Sequence, residues 1–171
     1  NLRVAESART HAEIGVIMID VDHFRSFNEE EGHDAGDQVL RIVADTIKSI
    51  VRPYDLAARY GGEEFTVILP GSGKDSTYTI AERMRKKIEA APFETRTGRQ
   101  RHVTISIDFA VFPNTASDAG SILRAADAAL FEAKRSGRNK VVFHEGRFED
   151  QHEGETLSLD AIWVWIPVKI R

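Results

Sequence analysis

The 171-residue sequence contains no cysteine, which excludes disulfides, thiolate-bound zinc and a cysteine nucleophile. Its 6 histidines show no close metal-ligand pairing, so a bound metal would be held mainly by oxygen. Long apolar runs are also missing. The longest, around Ile162 to Ile170, is interrupted by Pro167 and Lys169 and is too short to cross a bilayer. Nor is there an excess of positive charge: Lys+Arg 23 against Asp+Glu 27 gives −4, which leaves no global field to gather long nucleic acid without sequence preference. A local basic patch for a small anion is compatible with that balance. What is present is an ordinary globular composition, 42% hydrophobic, 29% charged and 8% aromatic, in a length that suits one core. Because the chain starts at Asn1 without Met or a signal-peptide pattern, the expectation is a piece of a longer protein.

Leu2 to about His11 reads as the end of a helix, and Ile14 to Ile19 as a buried strand that delivers Asp20 at its end. Asp22 is a good N-cap for a short helix over Phe24 to Glu30, closed by Gly32. A longer helix starts at Asp34 with Asp37 in its first turn, places Val39, Leu40, Val43, Ile47 and Ile50 at helical spacing, and stops before Pro53. Leu56 to Tyr60 and Phe65 to Leu69 flank Gly61-Gly62 as a hairpin. Asp75 to Ala91 has helical periodicity with a Lys/Arg-rich outer face. From His102 to Phe112 the sequence alternates, with Thr104, Ser106, Asp108 and Ala110 on the second face. A helix over Asp118 to Ser136 and a short strand over Lys140 to Phe143 follow. The order βααββαβαβ predicts an α+β fold, a two-layer α/β sandwich with helices on a mostly antiparallel central sheet. Residues 1–144 form the expected domain; Glu145 to Glu155 is acidic and linker-like, and Leu157 to Val168 is a β-prone apolar tail of unknown role.

Asp20 and Asp22 stand where a strand gives way to a helix N-terminus, so oxygen ligands and free backbone N–H groups occur together. Mg²⁺ takes one or two carboxylates plus phosphate oxygens, and Glu63 or Glu64 after the double-Gly turn could supply the second. Successive strand residues point to opposite sides, so only one of the two should face Asp20. The bland alternative makes Asp20 and Asp22 a strand terminus and a cap, and Glu63 and Glu64 solvated charges at a hairpin tip.

A resemblance shifts that balance. Arg59-Tyr60-Gly61-Gly62-Glu63-Glu64-Phe65 resembles the signature of the GGDEF family of diguanylate cyclases in its GGEEF form. Ile19-Asp20-Val21-Asp22-His23-Phe24 is similar to the family's metal strand, and Asn28 with Gly32-His33-Asp34-Ala35-Gly36-Asp37 to its nucleotide-binding segment. Thr104-Ile105-Ser106-Ile107, Ala126-Asp127 through Ala133-Lys134, and Gly137-Arg138-Asn139 resemble its later motifs, in order and at the expected spacing.

The resemblance implies a nucleotidyl-cyclase, ferredoxin-like fold and a cytoplasmic domain that joins two GTP molecules into cyclic di-GMP as a homodimer. By the same resemblance, Asp20, the Val21 carbonyl and Glu63 would bind Mg²⁺, with Mn²⁺ as an alternative, and Glu64 would support the catalytic geometry. Asp37 would read guanine with help from Asn28, since a carboxylate can accept both of the base's adjacent donors. His33 lies in the same segment. The backbone N–H groups of His23 and Phe24, together with Arg25, Lys134 and Arg138, would hold phosphate. Arg52-Pro53-Tyr54-Asp55 matches the family's RxxD inhibitory motif, with Arg83 as its secondary arginine, which implies feedback by cyclic di-GMP. A sensory or receiver region would precede the chain.

Three departures stand out. Asp108 occupies a position where the family usually has Gly, either on a solvated strand face or near the nucleotide; Phe131 replaces a common Tyr; and the family's segment before the first strand is absent. Phe131 loses only a hydroxyl and should matter little, but Asp108 and the missing segment support a rival reading, a catalytically silent domain that acts as a cyclic di-GMP or GTP receptor or as a dimerisation module. A third reading is a phosphohydrolase with water as nucleophile.

Overall fold

The computed structural model of the chain describes residues 13–95, 98–112 and 137–143. The helices expected over 2–11 and 118–136, with Phe131 and Lys134, and the linker and tail after 144 lie outside the described residues. Among those described, β1 (Ile14–Val21) leads into α1 (Phe24–Glu31) and α2 (His33–Ile50). The hairpin β2 (Leu56–Arg59) and β3 (Glu64–Pro70) follows, then α3 (Lys74–Ala90). Two short strands, β4 (Phe93–Glu94) and β5 (Gln100–Arg101), precede β6 (Ile105–Phe112) and β7 (Val141–Phe143). The main sheet has the order β2-β3-β1-β6-β7. Every pairing in it is antiparallel except the parallel pair β6 with β7. This is the expected α+β architecture.

The apolar run at Ile14 to Ile19 becomes the middle strand because both faces of β1 are buried along its whole length. Ile17, Ile19 and Val21 share one face with Phe65, Val67 and Leu69 of β3 and Ile105, Ile107 and Phe109 of β6. Against that face lie Val39, Val43 and Ile47 of α2 and Ala81, Met84 and Ile88 of α3, the helical positions that recur at three and four residues. Each of the larger side chains among them contributes about 1.5 to 3 kcal/mol on full burial. Gly15 permits close approach of α3: a Cβ there would collide with the Thr77 side chain.

Four expectations need correction. All eight residues of β6 are buried, so its polar-looking second face is not solvated. The strand begins at Ile105 rather than His102, and the hairpin β4–β5 was not expected, because two-residue strands are too short to show a period. Asp34, and not Asp37, is the acid in the first turn of α2, because Gly32 already caps the helix and His33 begins it. Finally, Asp22 does not cap α1. The N-cap is His23, in the left-handed region at φ 57, and no side chain caps the helix.

Candidate active site

The C-terminal end of β1 brings the sequence-predicted residues together. Pairing with β3 sets Asp20 opposite Glu64, and the Val21 N–H donates to the Glu63 carbonyl at 3.2 Å. Directly opposed residues of antiparallel strands point to the same face, so alternation alone makes Glu64 the partner of Asp20. Glu63 is outside the strand, in the turn, where alternation sets no constraint. The Glu64 carboxylate folds back over the turn, with Oε2 2.8 Å from where a Cβ of Gly61 would stand, while the space at Gly62 is open within 4 Å. Arg59 fixes the turn by donating to the carbonyls of Gly61 at 3.1 Å and Gly62 at 3.2 Å. A Cβ at Gly61 would push that carboxylate aside.

Asp20 is 3% exposed. It is not without interactions, yet its Oδ2 is enclosed and accepts no hydrogen bond. Among the described residues no three His, Asp or Glu side chains converge on one point. The oxygen groups carried at this junction, the Val21 carbonyl and the carboxylates of Asp20, Glu63 and Glu64, are all hard. That chemistry fits a divalent cation which takes one or two carboxylates and completes its shell with phosphate and water.

Asp22 is bonded to β6. It is 5% exposed; Oδ1 accepts the Ser106 hydroxyl at 2.6 Å, and Oδ2 accepts the Thr104 hydroxyl at 2.6 Å and the Asn139 backbone N–H at 3.0 Å. The Asp22 N–H donates to the Thr104 carbonyl at 2.9 Å. Asp22 therefore ties the end of β1 to the start of β6 and to the turn before β7. Freed from any side-chain cap, the first N–H groups of α1 have no acceptor within the helix. His23 and Arg25 are exposed beside them, and Phe24 packs inward.

At the far end of α1, Asn28 is half-buried and lies over Gly36, its Oδ1 enclosed without a hydrogen bond. Asp37 and His33 are exposed on α2 nearby. The unexpected hairpin β4–β5 steadies this helix: Arg99 and Arg101 each donate to Glu31 at 3.0 Å. Arg138 is exposed in the turn after Gly137.

The RxxD segment forms a closed turn at the end of α2. Asp55 Oδ2 accepts the Arg52 N–H at 2.7 Å, the Arg52 carbonyl accepts the Asp55 N–H at 3.0 Å, and the Arg52 guanidinium donates to the Tyr54 hydroxyl at 2.9 Å. Arg83 reaches the same region from α3 by donating to the Ile50 carbonyl at 3.3 Å. Arg52 is exposed and Asp55 half-buried. Arg52 and Asp55, after α2, and Arg83, on α3, are thus borne on different elements from Asp20, at the end of β1, and Glu63, in the turn before β3.

Asp108 is at neither of the places foreseen for it. It is fully buried on β6, paired with Met18 of β1 and Val142 of β7, and neither carboxylate oxygen has a hydrogen-bond partner. Burial pushes its carboxyl up to about 8; the Phe109 backbone N–H, too poorly placed for a hydrogen bond, works weakly the other way. An enclosed side chain neither meets solvent nor crowds a nucleotide.

Comparison with known proteins bears on the family and the fold. The family profile described as Diguanylate cyclase, GGDEF domain, matches residues 2–140. Diguanylate cyclase A of Treponema denticola is 44% identical over 128 residues, which cover 75% of this chain and 34% of that protein. Response regulator PleD of Caulobacter vibrioides is 42% identical over 130 residues, 75% of this chain and 29% of PleD. The chain thus spans about a third of the length of these curated relatives. The GGDEF domain of DgcB from Caulobacter crescentus, solved in complex with c-di-GMP, has a TM-score of 0.80 at 35% identity, covering 85% of each chain. The active GGEEF domain of a diguanylate cyclase from Vibrio cholerae has a TM-score of 0.77 at 29% identity, covering 84% of this chain and 90% of that one.

Proposed function

The chain belongs to the GGDEF family of diguanylate cyclase domains, and on that premise we propose that it condenses two GTP molecules into cyclic di-GMP with release of pyrophosphate. The observation that supports this most is the junction of β1 with the Gly61-Gly62 turn, where Val21 and Glu63 are hydrogen-bonded and Asp20 is paired with Glu64. It assembles hard oxygen donors beside a helix start that needs acceptors.

Asp20, the Val21 carbonyl and Glu63 would hold Mg²⁺ or Mn²⁺. A cation bound there supplies Lewis-acid activation of a 3′-hydroxyl and charge for the departing pyrophosphate. The N–H groups of His23 and Phe24 hold phosphate oxygens at the N-terminus of α1, where the helix dipole favours negative charge. Arg138, with Lys134, neutralises the triphosphate tail, and Arg25 adds charge at the mouth. Asp37 accepts the N1–H and amino donors of guanine, a pair that adenine lacks, while Asn28, beside Gly36, supplies a second polar contact and His33 flanks it. Glu64 keeps the turn in shape, its carboxylate folded over Gly61. Because the attacked phosphorus and the attacking hydroxyl come from different GTP molecules, each domain contributes half an active site, and a homodimer completes it.

Product would restrain the reaction at the turn of Arg52 and Asp55, with Arg83 as a further contact; an arginine fork suits guanine edges and phosphates. Incubation with GTP and Mg²⁺ followed by chromatography tests the proposal. It predicts cyclic di-GMP and pyrophosphate. No turnover would leave a nucleotide receptor, and GDP with phosphate would mark a hydrolase.

A further inference from the structure

We propose that Asp22 is a positioning residue for Arg138, acting through the turn that carries it. This rests on the reading of Arg138 as a triphosphate contact. The turn Gly137-Arg138-Asn139 is unusual: its φ angles are 110, 59 and 46, three successive residues in the left-handed region. For Arg138 that conformation costs roughly 1 to 2 kcal/mol, and less for Asn139, whose short amide side chain tolerates it. It needs support from outside the turn, and the structure supplies it at Asn139.

Asn139 makes three hydrogen bonds. Its backbone N–H donates to Asp22 Oδ2 at 3.0 Å, its Nδ2 donates to Glu89 at 2.8 Å, and its Oδ1 accepts from Arg85 at 2.8 Å. The Asn139 amide, and after it Arg85, hold the Glu89 carboxyl below its ordinary value. Arg85 is itself gripped by Glu82 at 2.9 Å. On the other side Asp22 is buried and fastened to Thr104 and Ser106, so it cannot follow a moving turn. Arg138 is thus presented, exposed, from a backbone held between the end of β1 and α3. Since Asp22 also ends the strand that carries Asp20 and Val21, one carboxylate fixes the distance between the cation ligands and the phosphate-binding arginine. Its chemistry is that of a hydrogen-bond hub with three donors to serve.

The hub role makes a prediction that a cation-ligand role does not. In Asp22→Asn the amide oxygen can still accept from Thr104 and Asn139, and its NH₂ faces the Ser106 hydroxyl, which can accept. Asp22→Ala removes every one of these bonds. The test is titration of the 171-residue chain with Mg²⁺ and either GMP or a GTP analogue with an uncleavable α–β bridge. Arg138→Ala should weaken the analogue about tenfold and GMP far less. Asp22→Ala should do the same, the double variant should be no weaker than Arg138→Ala alone, and Asp22→Asn should recover most of the loss. Should Asp22→Ala fail to fold, the pair Thr104→Ala and Ser106→Ala replaces it, since together they unfasten the Asp22 carboxylate that holds the Asn139 N–H. Equal losses for GMP and the analogue, additive losses in the double variant, or Asp22→Asn as weak as Asp22→Ala would each overturn the proposal. An unchanged affinity in Arg138→Ala would instead remove the phosphate reading of Arg138 on which it rests.

Discussion

The carboxamide of Asn28 occupies the space that a Cβ of Gly36 would need. Two helices therefore meet at a point where one has no side chain, and the other lays a polar group across it. Gly36→Ala should displace Asn28 and reduce affinity for a GTP analogue several-fold. The fold should survive, because Asn28 is the flexible partner and alanine gains up to about 1 kcal/mol in helix propensity. Calorimetric titration beside thermal melting checks this; a large fall in melting temperature with unchanged affinity would contradict it.

Asp108 gives the fold a pH dependence. Its carboxyl ordinarily titrates near 3.8 and is raised to about 8 in the folded chain. Below about pH 4 both states carry the proton and no penalty arises. Between about 4 and 8 only the folded state keeps it, so stability falls as pH rises, by at most about 6 kcal/mol, and then levels off. Asp108→Asn cannot ionise. Urea midpoints at pH 5 and pH 8 should show the variant gaining on the parent at the higher pH, and equal slopes with pH would refute the assignment.

At the RxxD turn Asp55 has two tasks, because it also accepts the Arg52 backbone N–H. Arg52→Ala is the cleaner change. It should weaken cyclic di-GMP at least tenfold, the equivalent of about 1.4 kcal/mol, and leave a GTP analogue nearly unaffected. Asp55→Ala should match it in ligand affinity and also lower the melting temperature slightly. Unchanged cyclic di-GMP affinity in Arg52→Ala would place product binding elsewhere.

Glu63 and Glu64 should separate by function. Glu63 sits in the turn beside Val21, whereas the Glu64 backbone accepts the Tyr60 N–H at 2.7 Å and its side chain covers Gly61. Glu63→Ala should abolish turnover with little change in melting temperature. Glu64→Ala should lower both. Retained turnover in Glu63→Ala would remove it from the cation site.

Much of this was legible in the sequence. The apolar run before Asp20, the glycines between two β-prone segments and the three-four spacing of α2 and α3 each encode an element locally. Asp22 shows where local reading fails. Before a helix it has the chemistry of a cap, but its side-chain partners stand 82, 84 and 117 residues away, and nothing nearby in the chain marks them. Asp108 fails for a related reason. Alternation in β6 resembles a half-solvated strand, and nothing within the segment marks that both of its faces are covered. Gly36 was part of a recognised motif, yet its steric duty toward Asn28 depends on how two helices meet.

The central claim is that two GTP molecules react across a dimer of this domain. Its most direct test is to follow pyrophosphate and cyclic di-GMP together at saturating GTP while the protein is diluted. The account predicts two pyrophosphates per cyclic di-GMP, with specific activity falling on dilution as dimers dissociate. Pyrophosphate without cyclic product, or phosphate and GDP in its place, would contradict it.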